Sequence, residues 1–336
     1  SRNSPDCLLK SEASLPSLFN EWCTTWGNPD HQTISAIAQA CAKLDFTYFV
    51  IDAGWYSDKN GLWSNAQGDW IPSIELYPLG LDTLCHELRS LGLIPGLWFE
   101  FEVVGPRSSL WDKNSWLLKR DGFPIQAGER RFLDLRKQEV IDYLVQKLSH
   151  LIESCKLGYI KIDYNETIGL GADDPDSFGE GLRQHIFGVY TLFDRLHEKY
   201  PQVVIENCSS GGHRLVNPMI NRTAMTSFSD AHETTDIPII AANVQQAITP
   251  RKSQIWAVLR KDDSIKRLYY SLSATFLGRM CISGDIVDLN REQLDILVLA
   301  QKFYKECVPV ILEGTSRLIR EGGESFLHPQ GWQSVI

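Results

Sequence analysis

Short apolar runs of β type alternate with amphipathic helical runs along the whole chain, and that alternation leaves few folds open. Ser17–Trp22 reads as a strand and Thr33–Leu44 as a helix. Tyr48–Asp52 (YFVID) is a continuous apolar run, the mark of a strand covered on both faces in a parallel sheet. The series goes on with helix Leu81–Ser90, strand Leu93–Glu100, a short element at Phe132–Leu135, helix Val140–Cys155 and strand Tyr159–Tyr164. Helix Arg183–Tyr200, strands Val203–Asn207 and Thr226–Asp230, helix Ile239–Ile248, strand Gln254–Leu259, helix Lys266–Leu277, strand Arg279–Ser283 and helix Arg291–Val308 complete it. Such units pack as right-handed βαβ crossovers. Roughly eight of them in one chain suit an α/β fold of the (β/α)8 TIM-barrel type. A doubly wound open sheet is the alternative, but no GxGxxG or GxxxxGK[ST] follows any strand, which counts against its nucleotide-binding forms. The expected layout is a lead-in over 1–14, a barrel over 15–312 and, from the turn-rich change of character over 313–336, the beginning of a truncated C-terminal β-domain.

Composition narrows the partners. The 336 residues are 43% hydrophobic and 22% charged, as in an ordinary soluble globular protein. A net charge of −9 argues against nucleic acid or an anionic membrane surface. Eight cysteines without a CxxC suggest reduced thiols and a cytoplasmic setting, and no apolar stretch has membrane-spanning length. Ten tryptophans are an excess, several in expected loops: Trp55, Trp63, Trp70, Trp111 and Trp116. They serve either as packing or as flat apolar platforms for sugar rings.

In a barrel, polar residues at the C-terminal ends of strands face the active site. Five successive strands here end in acids or amides: Asp52, Glu100 and Glu102, Asp163 and Asn165, Glu206 and Asn207, and Asp230. Two carboxylates, a lysine and tryptophans at one rim point to glycoside hydrolysis, in which one carboxylate attacks or activates water and the other protonates the leaving oxygen. Lys161 and Asp163 stand two apart in a strand and project to one side. The cation would keep a nucleophilic carboxylate ionised, although K-x-D alone is more often a structural ion pair. Metal chemistry is the rival. The histidines form no HxH or HExxH, and only His213 and His232 lie near the rim. The glycines of SSGG, followed by Arg214, could cradle phosphate, but a close approach of backbone to a ligand is the better reading.

In their order along the chain these residues resemble glycoside hydrolase family 36, the α-galactosidases. The resemblance rests on NEWCTTWGNP (Asn20–Pro29), FVIDAGWY (Phe49–Tyr56), GDW (Gly68–Trp70), GLWFEFE (Gly96–Glu102), LDLRKQEV (Leu133–Val140), GYIKIDYNE (Gly158–Glu166), ENCSSGGHR (Glu206–Arg214), SFSDAHET (Ser227–Thr234) and HPQGW (His328–Trp332). It implies retaining hydrolysis of terminal α-linked galactose without a cofactor or metal. Asp163 would be the nucleophile and Asp230 the acid/base. Asp52 would bind the O4/O6 edge of the sugar, Lys161 a ring hydroxyl, and Cys208 with Ser210 would line the side near O2. Trp98 would shape the pocket, Trp22 matches the first-strand tryptophan, and Arg131, with Arg130 as alternative, would be the sugar-binding arginine. A carbohydrate substrate and a homo-oligomer of the full-length protein are the implied partners.

Two departures from the family pattern concern the sugar rather than the bond broken. Ala53 stands where a second acid usually follows Asp52, and Ser227 where tryptophan often precedes the acid/base by three residues. An α-N-acetylgalactosaminidase or another α-glycosidase of the clan is the alternative within the class. A metal-dependent barrel hydrolase and a non-catalytic sugar-binding barrel are the alternatives outside it.

Overall fold

The computed structural model describes residues 10–231, 235–321 and 331–336. Eight parallel strands close on themselves: β1 (Leu18–Asn20), β2 (Tyr48–Ile51), β3 (Ile94–Phe99), β4 (Tyr159–Ile162), β5 (Val204–Asn207), β6 (Met225–Ser227), β7 (Ser253–Leu259) and β8 (Arg279–Gly284). β8 pairs with β1 at Leu18–Cys281, which excludes the open sheet. Between strands run the helices α1 (His31–Cys41), α2 (Leu81–Ser90), α3 (Gln138–Cys155), α4 (Phe178–Lys199), α5 (Asp236–Val244) and α6 (Ile265–Ala274), with α7 (Arg291–Glu313) after β8. Caps set several starts: the side chains of Asp30, Ser177 and Ser264 each accept a backbone N–H at N3, and Asn290 with Gln293 closes a full capping box on α7.

The period-two alternation of the strands sorts the core into two layers. Leu18, Tyr48, Val50, Tyr159, Val204, Met225, Trp256, Val258 and Cys281 pack together inside the barrel. Phe49, Ile51, Leu97, Phe99, Ile160, Ile162, Ile205, Ala257 and Ile282 face outward into the apolar layer shared with the helices. Below the strands, the lead-in sends Glu12 under the barrel, where it pairs with Arg279 and accepts from the Tyr48 hydroxyl; Glu12 and Arg279 are both fully buried.

One expected element falls elsewhere. Phe132–Leu135 does not join the barrel. Its start belongs to Arg130–Phe132, which pairs antiparallel with Val103–Val104 and Gln126–Ala127 in an excursion between β3 and α3. Phe132 packs there in a satellite cluster with Val103, Leu118, Ile125 and Tyr164, while Leu133 and Leu135 join the main core. Beyond α7, Leu318–Glu321 pairs antiparallel with Trp332–Val335, and Gln333 reaches Asn243 and the Ile239 carbonyl of α5. His232 and the first three residues of the HPQGW motif lie outside the described residues.

Candidate active site

The strand ends converge on Asp163. Its backbone N–H continues the β3–β4 ladder to the Phe99 carbonyl (2.7 Å), which sets its side chain on the interior face with Lys161. Each carboxylate oxygen then takes two donors. Oδ1 accepts from the N–H of Tyr164 (2.8 Å) and of Ser210 (2.7 Å); Oδ2 accepts from Trp98 Nε1 (3.1 Å) and Asn165 Nδ2 (3.0 Å). Only 6% of Asp163 is exposed, so these donors, not water, fix its orientation.

The Ser210 N–H reaches Asp163 because the SSGG turn is left-handed at three successive positions, Ser209 (φ 50°), Ser210 (φ 52°) and Gly211 (φ 68°). Only glycine adopts this region freely, and two serines held there are strained. A side chain at Gly211 would lie 2.3 Å from the Ser229 nitrogen. The close backbone approach at this glycine is therefore to the segment bearing Asp230. Ser210 closes the link, its hydroxyl donating to Asp230 Oδ2 (3.2 Å). One residue thus touches both carboxylates. Asp230 itself is exposed at the mouth.

Lys161 does not spend its charge on Asp163. Its Nζ lies 2.8 Å from Asp52 Oδ2, which also accepts from Asn20 Nδ2 (2.6 Å), and 4.9 Å from the Trp256 ring centroid. Burial opposes the ammonium charge, but Asp52 together with Cys208, Glu206 and Asp163 outweighs it and holds Lys161 well above the usual lysine range. Two more buried carboxyls flank the pair. Glu21 accepts the Asp52 N–H (2.8 Å), and burial raises it to about 8. Glu206, bonded to the Tyr159 hydroxyl deeper in the barrel, is raised by burial to about 7.

The aromatic rim divides by burial. Trp55 and Trp70 are packing residues, 0% and 3% exposed, and the Trp55 indole N–H donates to the Trp98 carbonyl (2.9 Å). Trp22, Trp63 and Trp98 stand edge to face as one wall, with ring centroids 6.0 Å and 5.4 Å apart. Trp111 and Trp116 are half-buried away from that wall, carrying Arg131 and Lys113 on their faces.

Arg131 points from the antiparallel excursion to the Trp111 carbonyl (2.8 Å) and Asp112 (3.4 Å). Its neighbour Arg130 points the other way, to Glu100 (2.9 Å) and Glu166 (2.6 Å). Glu100 in turn accepts from Asn165 N (2.6 Å) and Nδ2 (3.1 Å), so Arg130, not Arg131, is tied to the Asp163 network. Arg214 holds no phosphate cradle; it is buried against Glu102 and over the Tyr164 ring. Cys208 is 1% exposed beside Asp163, and burial pushes its thiol up. His213 stands exposed against Tyr164. Among the described residues no group of three His, Cys, Asp or Glu could hold a metal ion.

Sequence reasoning passed over Asn20 and Glu21 as site residues, and it placed Asn165 at the rim and Trp63 among the aromatic platforms without giving either a partner. Asn20 and Asn165 each sit in a quoted motif at a strand end, and that position was the available signal.

Comparison with known proteins agrees with this geometry. The chain is 32% identical over 220 residues to α-galactosidase AgaA of Geobacillus stearothermophilus, covering 64% of this chain and 30% of that protein. It is 30% identical over 250 residues to α-galactosidase 2 of Pediococcus pentosaceus, covering 73% and 34%. The solved structure of AgaA superposes with a TM-score of 0.81 at 26% identity over 91% of this chain and 43% of that one. The chain thus spans about a third of the length of these curated relatives. The sequence model of the Melibiase family matches residues 9–314, the whole barrel, and the chain belongs to that family.

Proposed function

We propose that this barrel hydrolyses terminal α-linked galactose with retention of configuration, Asp163 acting as nucleophile and Asp230 as acid/base. The observation that carries this reading is the linkage of both carboxylates through Ser210, one fixed by four N–H donors below the mouth and the other exposed above it. Retaining enzymes keep their two carboxyl groups about 5 Å apart, and a single bridging residue suits so short a span.

In the first step an Asp163 oxygen bonds to the anomeric carbon as the glycosidic C–O bond breaks. Asp230 gives its proton to the departing oxygen. In the second step Asp230 takes a proton from water, and that water displaces Asp163 from the anomeric carbon. Two inversions leave the original configuration. Asp52, Lys161 and Asn20 supply a buried acceptor and donors for sugar hydroxyls, and the Trp22–Trp63–Trp98 wall supplies an apolar face. AgaA has been solved with raffinose bound, at a TM-score of 0.79 to this chain, which supports an α-galactoside as substrate.

The test is a panel of nitrophenyl α-glycosides given to the full-length protein, with the anomeric product followed by NMR. Cleavage of the α-galactoside with first release of α-galactose is expected. First release of the β-anomer overturns the retaining mechanism, and preference for the α-N-acetylgalactosaminide reassigns the sugar.

A further inference from the structure

We propose that Glu21 is a positioning residue for substrate binding, acting through Asp52 without touching the sugar. This role rests on the α-galactoside reading above.

The geometry starts from where the β1–β2 ladder stops. Glu21 N–H is the last rung, donating to the Val50 carbonyl (3.3 Å). Asp52 lies two residues further, and its own N–H is buried with no strand to receive it. An orphaned buried N–H is costly. Glu21 Oε1 supplies the acceptor at 2.8 Å, and its second oxygen is shared with the Thr25 hydroxyl one turn on. Asn20, the preceding residue, meanwhile holds the Asp52 carboxylate at 2.6 Å. β1 ends at Asn20, and Glu21 turns into a helical backbone conformation (φ −84°, ψ −1°), so the two neighbouring side chains reach Asp52 at different atoms. Asn20 holds the side chain of Asp52, and Glu21 holds its backbone N–H. Both Glu21 and Asn20 are fully buried, so neither hold is exchanged with water.

Charge gives this clamp a pH limit. The titratable and charged groups facing Glu21 are Asp52 from β2, Lys161 from β4 and Tyr77 from the segment before α2. Burial raises the Glu21 carboxyl to about 8, so near neutrality it is an uncharged acid whose carbonyl oxygen accepts the Asp52 N–H. The Asp52–Lys161 pair is then left balanced. Above pH 8 a second anion forms beside Asp52 with Lys161 as the shared cation, and the clamp that sets the sugar-binding carboxylate is disturbed.

Steady-state kinetics of the full-length protein with p-nitrophenyl α-galactoside between pH 5 and 9, run beside calorimetric titration with galactose, test this. Glu21→Ala should raise KM and the galactose Kd by roughly tenfold or more while kcat changes by less than about threefold, since an unpaired buried N–H carries a cost of this order. Glu21→Gln keeps the acceptor and cannot ionise. It should bind as the wild type at pH 6 and lack the rise in KM that the wild type shows above pH 8. Should Glu21→Ala fail to fold, Glu21→Gln carries the test through that alkaline limb. Wild-type cleavage with KM, Kd and pH profile unchanged in both variants overturns the positioning role alone. Galactose binding without cleavage overturns the hydrolase reading and leaves the Kd comparison to decide the role of Glu21. No galactose binding by the wild type overturns both.

Discussion

Lys161 Nζ meets Asp52 Oδ2 at 2.8 Å across the barrel, with the strand between them contributing nothing to the pair. Both side chains are almost fully buried, at 4% and 3% exposure, and the lysine also lies over the face of Trp256. Removing one member of such a pair leaves an uncompensated buried charge. Lys161→Met, similar in length, should therefore cost on the order of 3–5 kcal/mol in urea unfolding. Lys161→Met with Asp52→Asn should recover a large part of that loss. A double variant no more stable than Lys161→Met alone would show that the two residues are not energetically coupled.

Gly211 should tolerate no side chain. Its φ of 68° and a Cβ position 2.3–2.6 Å from the backbone of Ser229 mean that alanine must displace the segment carrying Asp230. Left-handed alanine also costs roughly 1–2 kcal/mol. Gly211→Ala should lower kcat by about tenfold or more, with a smaller change in KM and a lower Tm. Wild-type kcat with an unchanged Tm would show that the two loops move independently.

The barrel was legible because its strands, buried on both faces, are written as unbroken apolar runs and their ends as polar residues. The same cue does not separate out Phe132–Leu135, an apolar run ahead of an amphipathic helix whose Phe132 packs in a satellite cluster and whose Leu133 and Leu135 join the main core outside the strands. Alternation placed Lys161 and Asp163 on one face but could not say which acid the lysine would meet, because closure of the barrel brings Asp52 to it from two strands away. Asn165 was legible as a polar strand end, but its partners were not, for a chemical reason. An asparagine after a strand reads as turn chemistry, and nothing local tells that its amide turns back to Asp163 and Glu100.

Acid stability should carry the mark of Glu102. Burial alone would raise its carboxyl, but the Arg214 guanidinium and His185 outweigh burial and bring it from 4.5 to about 2. A depressed folded value means that the stabilisation is complete above the ordinary carboxylate range and is lost as pH falls from about 4.5 towards 2. The shift corresponds to roughly 3 kcal/mol. Glu102→Gln should be less stable at pH 6, since it leaves Arg214 unpaired, yet show a flatter dependence of unfolding free energy on pH between 4.5 and 2. An acid limb as steep as the wild type's would place the titrating group elsewhere.

Ala53 stands where the family pattern has a second acid after Asp52. It is 2% exposed in a cluster that includes Phe49, Ile51 and Trp55, and its N–H donates to Asp52 Oδ1 (2.9 Å). Ala53→Asp should place an unpaired carboxylate there, costing about 3 kcal/mol or more, and should weaken rather than improve kcat/KM for an α-galactoside. A gain in kcat/KM with unchanged stability would mean that the introduced side chain finds the mouth after all.

Asp163→Ala tests the nucleophile directly. The four donors on its carboxylate belong to Trp98, Tyr164, Asn165 and Ser210, and alanine keeps the backbone bond from residue 163 to the Phe99 carbonyl, so the barrel should still fold. Turnover of p-nitrophenyl α-galactoside should fall by roughly a thousandfold or more. The lost side chain leaves a space facing the anomeric carbon, lined by N–H donors that suit an anion. Azide entering it can form the C–N bond as nitrophenolate leaves, one displacement in place of two. The product should be β-galactosyl azide, inverted relative to the substrate, with the rate rising with azide concentration. Asp230→Ala should respond differently. It retains Asp163 as nucleophile, so with this good leaving group the glycosyl-enzyme still forms, and azide attacks that intermediate to give the α-azide. The opposite anomers from the two variants, read by NMR, assign the two carboxylates. A β-azide from Asp230→Ala and an α-azide from Asp163→Ala would reverse the assignment.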